Sequence, residues 1–267
     1  MPMKFSKMHG AGNDYILFDC INGVINDPEG VARAVCKRRF SIGADGIVMI
    51  LPSKIADARM RIFNADGSEA KMCGNASRCI GKWLFERGVV KKSRILLETE
   101  SGVRELFLTV RDGVVEKITV NMGRASVGEM FSLDVAGERY EMRGVNIGNE
   151  HQVTFVPDVD FLQLERIGSA FEQNPRYEGG VNTEFCEILE KNRLKVRTFE
   201  RGSGETLACG TGACASAMAG IVRGACDPSR LIRISMRGGE LGVLCDSEMN
   251  LRLTGDAHWV FEGEVDI

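Results

Sequence analysis

Glu205-Thr206-Leu207-Ala208-Cys209-Gly210-Thr211-Gly212-Ala213-Cys214 has a counterpart 136 positions earlier, Glu69-Ala70-Lys71-Met72-Cys73-Gly74-Asn75-Ala76-Ser77-Arg78. Each stretch places a cysteine and a glycine where a turn gives way to a small-residue helix. The same gapless offset lays Arg61 on Arg197, Phe63 on Phe199, Arg87-Gly88 on Arg223-Gly224, Ser93-Arg94 on Ser229-Arg230 and Gly102 on Gly238. With Glu69, Cys73 and Gly74 these make ten identities in residues 61–102, too many on one offset for chance. Upstream, Gly12-Asn13 falls on Gly148-Asn149. The chain therefore reads as an internal duplication. Its halves are 1–120, carrying Cys73, and 121–267, carrying Cys209, with the last few residues packing back on the first half.

Around the motif the pattern is mostly strand. The amino-terminal stretch reads as strand, glycine-rich turn and strand through Tyr15-Ile16-Leu17-Phe18, and Asp27-Pro28-Glu29 opens a helix. Ile47–Leu51 and Ala58–Phe63 are strands, and Asn64-Ala65-Asp66-Gly67-Ser68 turns the chain toward Cys73. Further strands follow at Arg94–Glu98, Arg104–Val110 and Val115–Val120, with a hairpin turn at Asp112-Gly113. The second half repeats this plan, with a helix expected over Asp158–Phe171. The expected fold class is α+β: two pseudo-symmetric domains, each a mixed or antiparallel sheet curled round a central helix, with an active site in the cleft between them.

Bulk composition removes several function classes. A net charge of −3 is too small to argue for nucleic acid or an anionic membrane surface. Lys37-Arg38-Arg39 is short and lacks interleaved aromatics, as a solvated helix end does. No stretch of 18 apolar residues exists, and Met1–His9 lacks the apolar core of a signal peptide, so no membrane partner and a cytoplasmic location are expected. Nine cysteines, an odd number without an export signal, read as reduced thiols and not as a disulfide framework.

A thiol at a helix amino terminus feels the partial positive charge of unpaired N–H groups, which favours the thiolate. Those donors also bind a carboxylate, and Gly74 and Gly210 let a ligand approach the backbone. Two such sites acting on one carboxylate would place a sulfur on each face of its α-carbon, one to remove the proton and one to return it. Buried cysteine is also a compact core filler, and that reading is preferred for Cys20, Cys36, Cys79, Cys186, Cys214, Cys226 and Cys245. For Cys73 and Cys209 the repetition favours chemistry. Zinc is the weaker rival, because the cysteine spacing is wrong for a structural site and no histidine pair accompanies it, so no metal is expected. The Gly-rich turns carry no following Lys-Ser/Thr for a phosphate loop.

Five motifs in order, Lys7–Asp14, Phe63–Glu69, Cys73–Cys79, Gly148–His151 and Glu200–Cys214, closely resemble the diaminopimelate epimerase family nearly end to end. The resemblance implies a cofactor-independent homodimer that interconverts LL- and meso-2,6-diaminopimelate in lysine and cell-wall precursor synthesis. It makes Cys73 and Cys209 the acid/base pair, with His151 and Glu200 as the neighbours that tune them. It assigns Gly74, Asn75, Gly210 and Thr211 to the reacting end of the substrate, and Asn13, Asn64, Asn149, Asn182, Glu200 and Arg201 to the distal amino-acid end. A guanidinium fork suits that distal carboxylate, and a carboxylate with amide oxygens suits the ammonium. Asn64 also reads as a plain turn residue, and His151 as a satisfied core histidine. Glu69 and Glu205, just ahead of the helices, read as local helix caps.

Three positions depart from the family pattern. Gly46 stands at a ligand position where many members carry Gln, which would pass any contact to backbone or water. Glu150 replaces a usual Pro, removing a rigid φ beside His151. Phe261 stands where some relatives have a Tyr tied to the dimer contact. Two other readings stay open on the residues: the same fold acting on another substrate, as in proline racemase or phenazine-pathway isomerase relatives, and a thiol protein whose two cysteines cross-link as a redox sensor.

Overall fold

The computed structural model describes residues 2–266 and divides the chain into two units. Unit 1 holds the chain up to Val120 together with the stretch from Gly255 onward, and unit 2 holds Asn121–Thr254. The first ten elements are β1 (Met3–Gly10), β2 (Asn13–Asp19), α1 (Pro28–Val35), β3 (Gly46–Leu51), β4 (Ala58–Asn64), β5 (Glu69–Ala70), α2 (Gly74–Glu86), β6 (Arg94–Thr99), β7 (Gly102–Arg111) and β8 (Val114–Arg124). There follow β9 (Ser126–Val135), β10 (Glu138–Asn146), β11 (Glu150–Phe155), α3 (Leu164–Glu172), β12 (Asn182–Glu190), β13 (Arg193–Glu200), β14 (Gly204–Thr206), α4 (Gly210–Val222), β15 (Ile232–Met236), β16 (Gly239–Cys245), β17 (Asn250–Gly255) and β18 (His258–Val265).

In unit 1 the strands pair in the order β18, β1, β2, β3, β4, β6, β7, β8. Two pairs, β2 with β3 and β4 with β6, are parallel and the others antiparallel. A helical crossover joins each parallel pair, α1 for the first and α2 for the second, since a tight turn cannot connect parallel neighbours. Asp27 caps α1 by accepting from the Gly30 N–H at 2.9 Å, and Pro28 supplies its fixed φ at the first position. Phe18, Ile47, Met49 and Phe63 pack with Val31 and Val35 of α1 in one apolar cluster. The central helix α2 lies against β1, β2 and β7, with every residue from Gly74 to Leu84 buried.

Unit 2 repeats the plan, ordering β9, β10, β11, β12, β13, β15, β16, β17, with parallel pairs at β11–β12 and β13–β15. Helix α4 spans residues 210–222, the 136-residue image of α2 at 74–86. Register repeats as well: Tyr15 faces Gly46 as His151 faces Asn182, and Phe63 faces Glu69 as Phe199 faces Glu205. From Gly212 to Gly220 helix α4 is built from Ala, Ser, Gly, Cys and Met, small enough for β10–β13, β15 and β16 to pack around it.

Several sequence expectations need correction. The helix expected over Asp158–Phe171 runs only over Leu164–Glu172, because Asp158 Oδ1 accepts from the Asp160 N–H and closes a local turn first. Strands β9 and β18 lie outside the strands read from the sequence, and both are largely exposed. The last strand, β18, groups with unit 1 and pairs with β1 from Met3↔Val265 to His9↔His258. Glu69 and Glu205 are not helix caps. Each sits on its short strand and grips an arginine through both oxygens, Arg61–Glu69 at 2.7 and 2.8 Å and Arg197–Glu205 at 2.7 and 2.9 Å. That doubled fork explains why all four residues survive in the repeat.

Candidate active site

In unit 1 the candidate residues gather where β2 and β3 begin, where β4 ends, and where α2 starts. Cys73 is the N-cap of α2 in extended conformation, with no acidic residue in the first turn to occupy the helix N–H groups. Its sulfur lies 3.0 Å from the Tyr15 hydroxyl, which also makes a short contact with Asn13 Oδ1. Asn13 Oδ1 accepts from Asn75 Nδ2 at 3.2 Å, while Asn13 Nδ2 donates to Asp45 Oδ2 at 2.6 Å. Asn75 is fixed in turn by Arg78, whose Nη2 donates to Asn75 Oδ1 at 2.8 Å from a fully buried position. Arg78 thus orients one site amide while its Nε bonds the Asp256 carbonyl at 3.0 Å.

Gly46 is buried, and a Cβ there would stand 2.4 Å from the Phe63 carbonyl oxygen. The close strand approach leaves no room for a longer side chain with this backbone, so only main-chain atoms serve this position. Asn64 is exposed, and its Nδ2 donates to Ser68 Oγ at 2.9 Å, so within unit 1 it does act as a turn residue.

In unit 2 Cys209 is the N-cap of α4, and its sulfur accepts from the Gly212 N–H at 3.3 Å with the Thr211 hydroxyl 3.4 Å away. Asn149 Nδ2 reaches Thr211 Oγ1 at 3.5 Å, and Asn182 Oδ1 accepts from the Arg201 N–H at 2.9 Å. Arg201 is exposed. Glu200 receives a short hydrogen bond from the Thr206 hydroxyl and one from Cys209. His151 is fully buried, with Nδ1 2.9 Å from Glu184 Oε1. The Glu150 side chain is exposed and accepts from Asn146.

Burial and two carboxylates dominate the electrostatics of unit 2. Burial first, then the charges of Glu200 and Glu184, push the Cys209 thiol well above its ordinary value, although Thr211 and the Gly212 N–H pull the other way. The helix-terminus effect expected from sequence is present and outweighed, so Cys209 rests as a thiol, an acid with its proton in place. Burial also raises the Glu200 carboxyl, against the hydrogen bonds of Thr206 and Cys209. The cysteines read as core fillers behave so: burial lifts the thiol of Cys20 to about 11 and those of Cys36 and Cys79 to about 12. Among the described residues no cluster of three or more His, Cys, Asp or Glu is arranged to hold a metal ion. No helix among them is long and apolar enough to cross a membrane.

Sequence reasoning missed two neighbours of the candidate residues. Glu184 is buried, binds His151, takes the Thr198 hydroxyl at 3.2 Å and acts on Cys209 by charge. Its counterpart by offset is Val48, so the duplication gives no hint of it. Tyr15 reads in the sequence only as a strand residue, in Tyr15-Ile16-Leu17-Phe18. A fully buried carboxylate beside a histidine is the signal that finds Glu184, and burial is not written in a single sequence.

The family model described as diaminopimelate epimerase matches residues 5–128 and 144–260. The diaminopimelate epimerase of Parabacteroides distasonis is 44% identical over 267 residues, covering 99% of this chain and 98% of its own. That of Acetivibrio thermocellus is 43% identical over 279 residues, covering 99% of each. Among solved structures, a hydroxyproline epimerase from Agrobacterium vitis superposes with a TM-score of 0.79 at 20% identity, covering 99% of this chain and 92% of its own. A phenazine biosynthesis protein from Bacillus anthracis does so at 0.75 and 17%, covering 100% of each. These two share the fold. The full-length matches, with the paired N-cap cysteines and their amide and arginine neighbours, place the chain in the diaminopimelate epimerase family.

Proposed function

We propose that this chain epimerises LL-2,6-diaminopimelate to the meso form without a cofactor, by two-base proton transfer between Cys73 and Cys209. The carrying observation is the duplicated N-cap cysteine, one at the start of each central helix, with helix N–H groups beside it. The N–H groups of Gly74, Asn75, Gly210 and Thr211 bind the reacting carboxylate and stabilise the charge that develops as the α-proton leaves. One sulfur takes that proton as the thiolate; the other, as the thiol, gives one to the opposite face, and the stereocentre inverts. Direction is reversed by exchanging the two protonation states. Glu200 and His151 set the charge around Cys209, and Arg201 with Asn13, Asn64, Asn149 and Asn182 receives the distal amino-acid end. A substrate lacking that end leaves polar groups unpaired and is rejected. The protein acts as a cytoplasmic homodimer, with the exposed Phe261 ring set edge-on to Phe5 on the β18 face.

The test is α-hydrogen exchange with LL-diaminopimelate in deuterated water, without pyridoxal phosphate, on wild type, Cys73→Ala and Cys209→Ala. Wild type is expected to exchange and epimerise, and each variant to lose net epimerisation. Full activity in either variant would defeat the two-base assignment. Turnover of proline in place of diaminopimelate would replace the substrate. Activity that appears only after oxidation would favour the cross-linking thiol protein.

A further inference from the structure

We infer that Tyr15 is the third member of the Cys73 half-site, its phenol serving as the donor that holds the Cys73 thiolate during proton transfer. The inference rests on the proposed role of Cys73 as a proton-transfer residue. Tyr15 lies on β2 and is 4% exposed, with its hydroxyl 3.0 Å from Cys73 Sγ and in short contact with Asn13 Oδ1. A phenol has one proton to give. Asn13 Nδ2 is committed to Asp45 at 2.6 Å, so the atom Asn13 turns toward the phenol is its oxygen, an acceptor only. While Cys73 is a thiol, the phenol donates to Asn13 Oδ1 and its own oxygen takes the S–H. Once Cys73 has lost its proton, the sulfur is the strongest acceptor in reach. The hydroxyl then rotates to it, and Asn13 Oδ1 keeps the Asn75 amide at 3.2 Å.

No bond other than hydrogen bonds changes in that step. The charge-assisted O–H to sulfur bond is stronger than the neutral one it replaces, so the phenol favours the thiolate. Burial, and then the charge on Cys73, push the proton affinity of Tyr15 well above that of an ordinary phenol, which keeps it a donor. The equivalent register position in unit 2 holds His151, tied to Glu184 at 2.9 Å, so the phenol belongs to the Cys73 half alone.

The test reads Cys73 without substrate: iodoacetamide alkylation against pH, quantified on the Cys73 peptide by mass spectrometry, with thermal melting to confirm the fold. In Tyr15→Phe the Cys73 midpoint is expected to rise by about one pH unit, with the Cys209 midpoint unmoved. With 3-fluorotyrosine at position 15, a stronger donor of similar size, it is expected to fall. An unmoved Cys73 midpoint in Tyr15→Phe, or in the fluorinated protein should Tyr15→Phe not fold, overturns the inference. Because no amino acid is turned over in the assay, the result stands apart from the identity of the substrate.

Discussion

Glu184 lies outside the repeated motifs yet touches two candidate residues, one by hydrogen bond and one by charge. It holds His151 through Nδ1, and its charge helps keep the proton on Cys209. Glu184→Gln preserves volume and removes the charge. Epimerisation is expected to fall by at least about tenfold, while the Cys209 alkylation midpoint moves to lower pH. Unchanged values for both would remove Glu184 from the site. At this scale the sequence was most readable where chemistry repeats: Cys73 and Cys209 stand out by offset alone. Where one half departs from the other, as at Tyr15, His151 and Glu184, the reason lies in burial and hydrogen bonding that only three dimensions supply. Glu69 and Glu205 make the same point from the other side, being legible as a repeated pair and misread in role.

Among the elements, the start of β2 is held by an ion cluster. Lys7, 6% exposed at its side chain, lies 2.6 Å from Asp14, which Arg38 also contacts at 2.6 Å. Burial pushes the Asp14 carboxyl up, but the hydrogen bonds and charges of Arg38 and Lys7 prevail and hold it below the ordinary 3.8. A carboxylate depressed in the folded state stabilises fully above the unfolded value and loses that contribution as pH falls through the folded one. Asp14→Asn is therefore expected to lower the unfolding free energy from urea melts at pH 7, by about 3 kcal/mol for a half-buried pair left without one partner, and to differ less from wild type near pH 2. An equal deficit at both pH values would contradict the assignment. Helix α3 gives a second case. Alanine normally gains about 1 kcal/mol over glycine in a helix. At Gly168, however, a Cβ would stand 2.1 Å from Cδ2 of Phe199. Gly168→Ala is expected to destabilise by about 1–2 kcal/mol in denaturant melts, since overpacking exceeds the propensity gain. A gain in stability would mean that the ring yields freely. The existence of α3 was evident from Leu164 and Ile167, but its start was not, because a local aspartate turn competed with the helical pattern.

For the molecule as a whole, duplication settled the architecture early, since two copies of one plan must each bury a central helix. The strand that completes unit 1 was harder to see, because β18 is an exposed edge strand in which Trp259, Val260 and Phe261 run together without polar alternation. Ending the chain at Gly255 removes β18 and bares the outer backbone edge of β1 along with Phe5, which packs on Phe261. Aggregation in light scattering and a lowered melting midpoint are the expected outcomes, as an unpaired edge invites intermolecular pairing. A truncated chain that melts like wild type would show β18 to be dispensable.

The pairing of β1 with β18 also has a consequence for biosynthesis. The ribosome makes β1 before unit 2 and β18 after it. The body of unit 1 emerges first yet cannot complete its sheet until all of unit 2 has been made, whereas unit 2 receives its edge strand β9 immediately before β10. The half made second is thus the first able to close, and the nascent half carrying Cys73 waits with an open edge until β18 has followed unit 2.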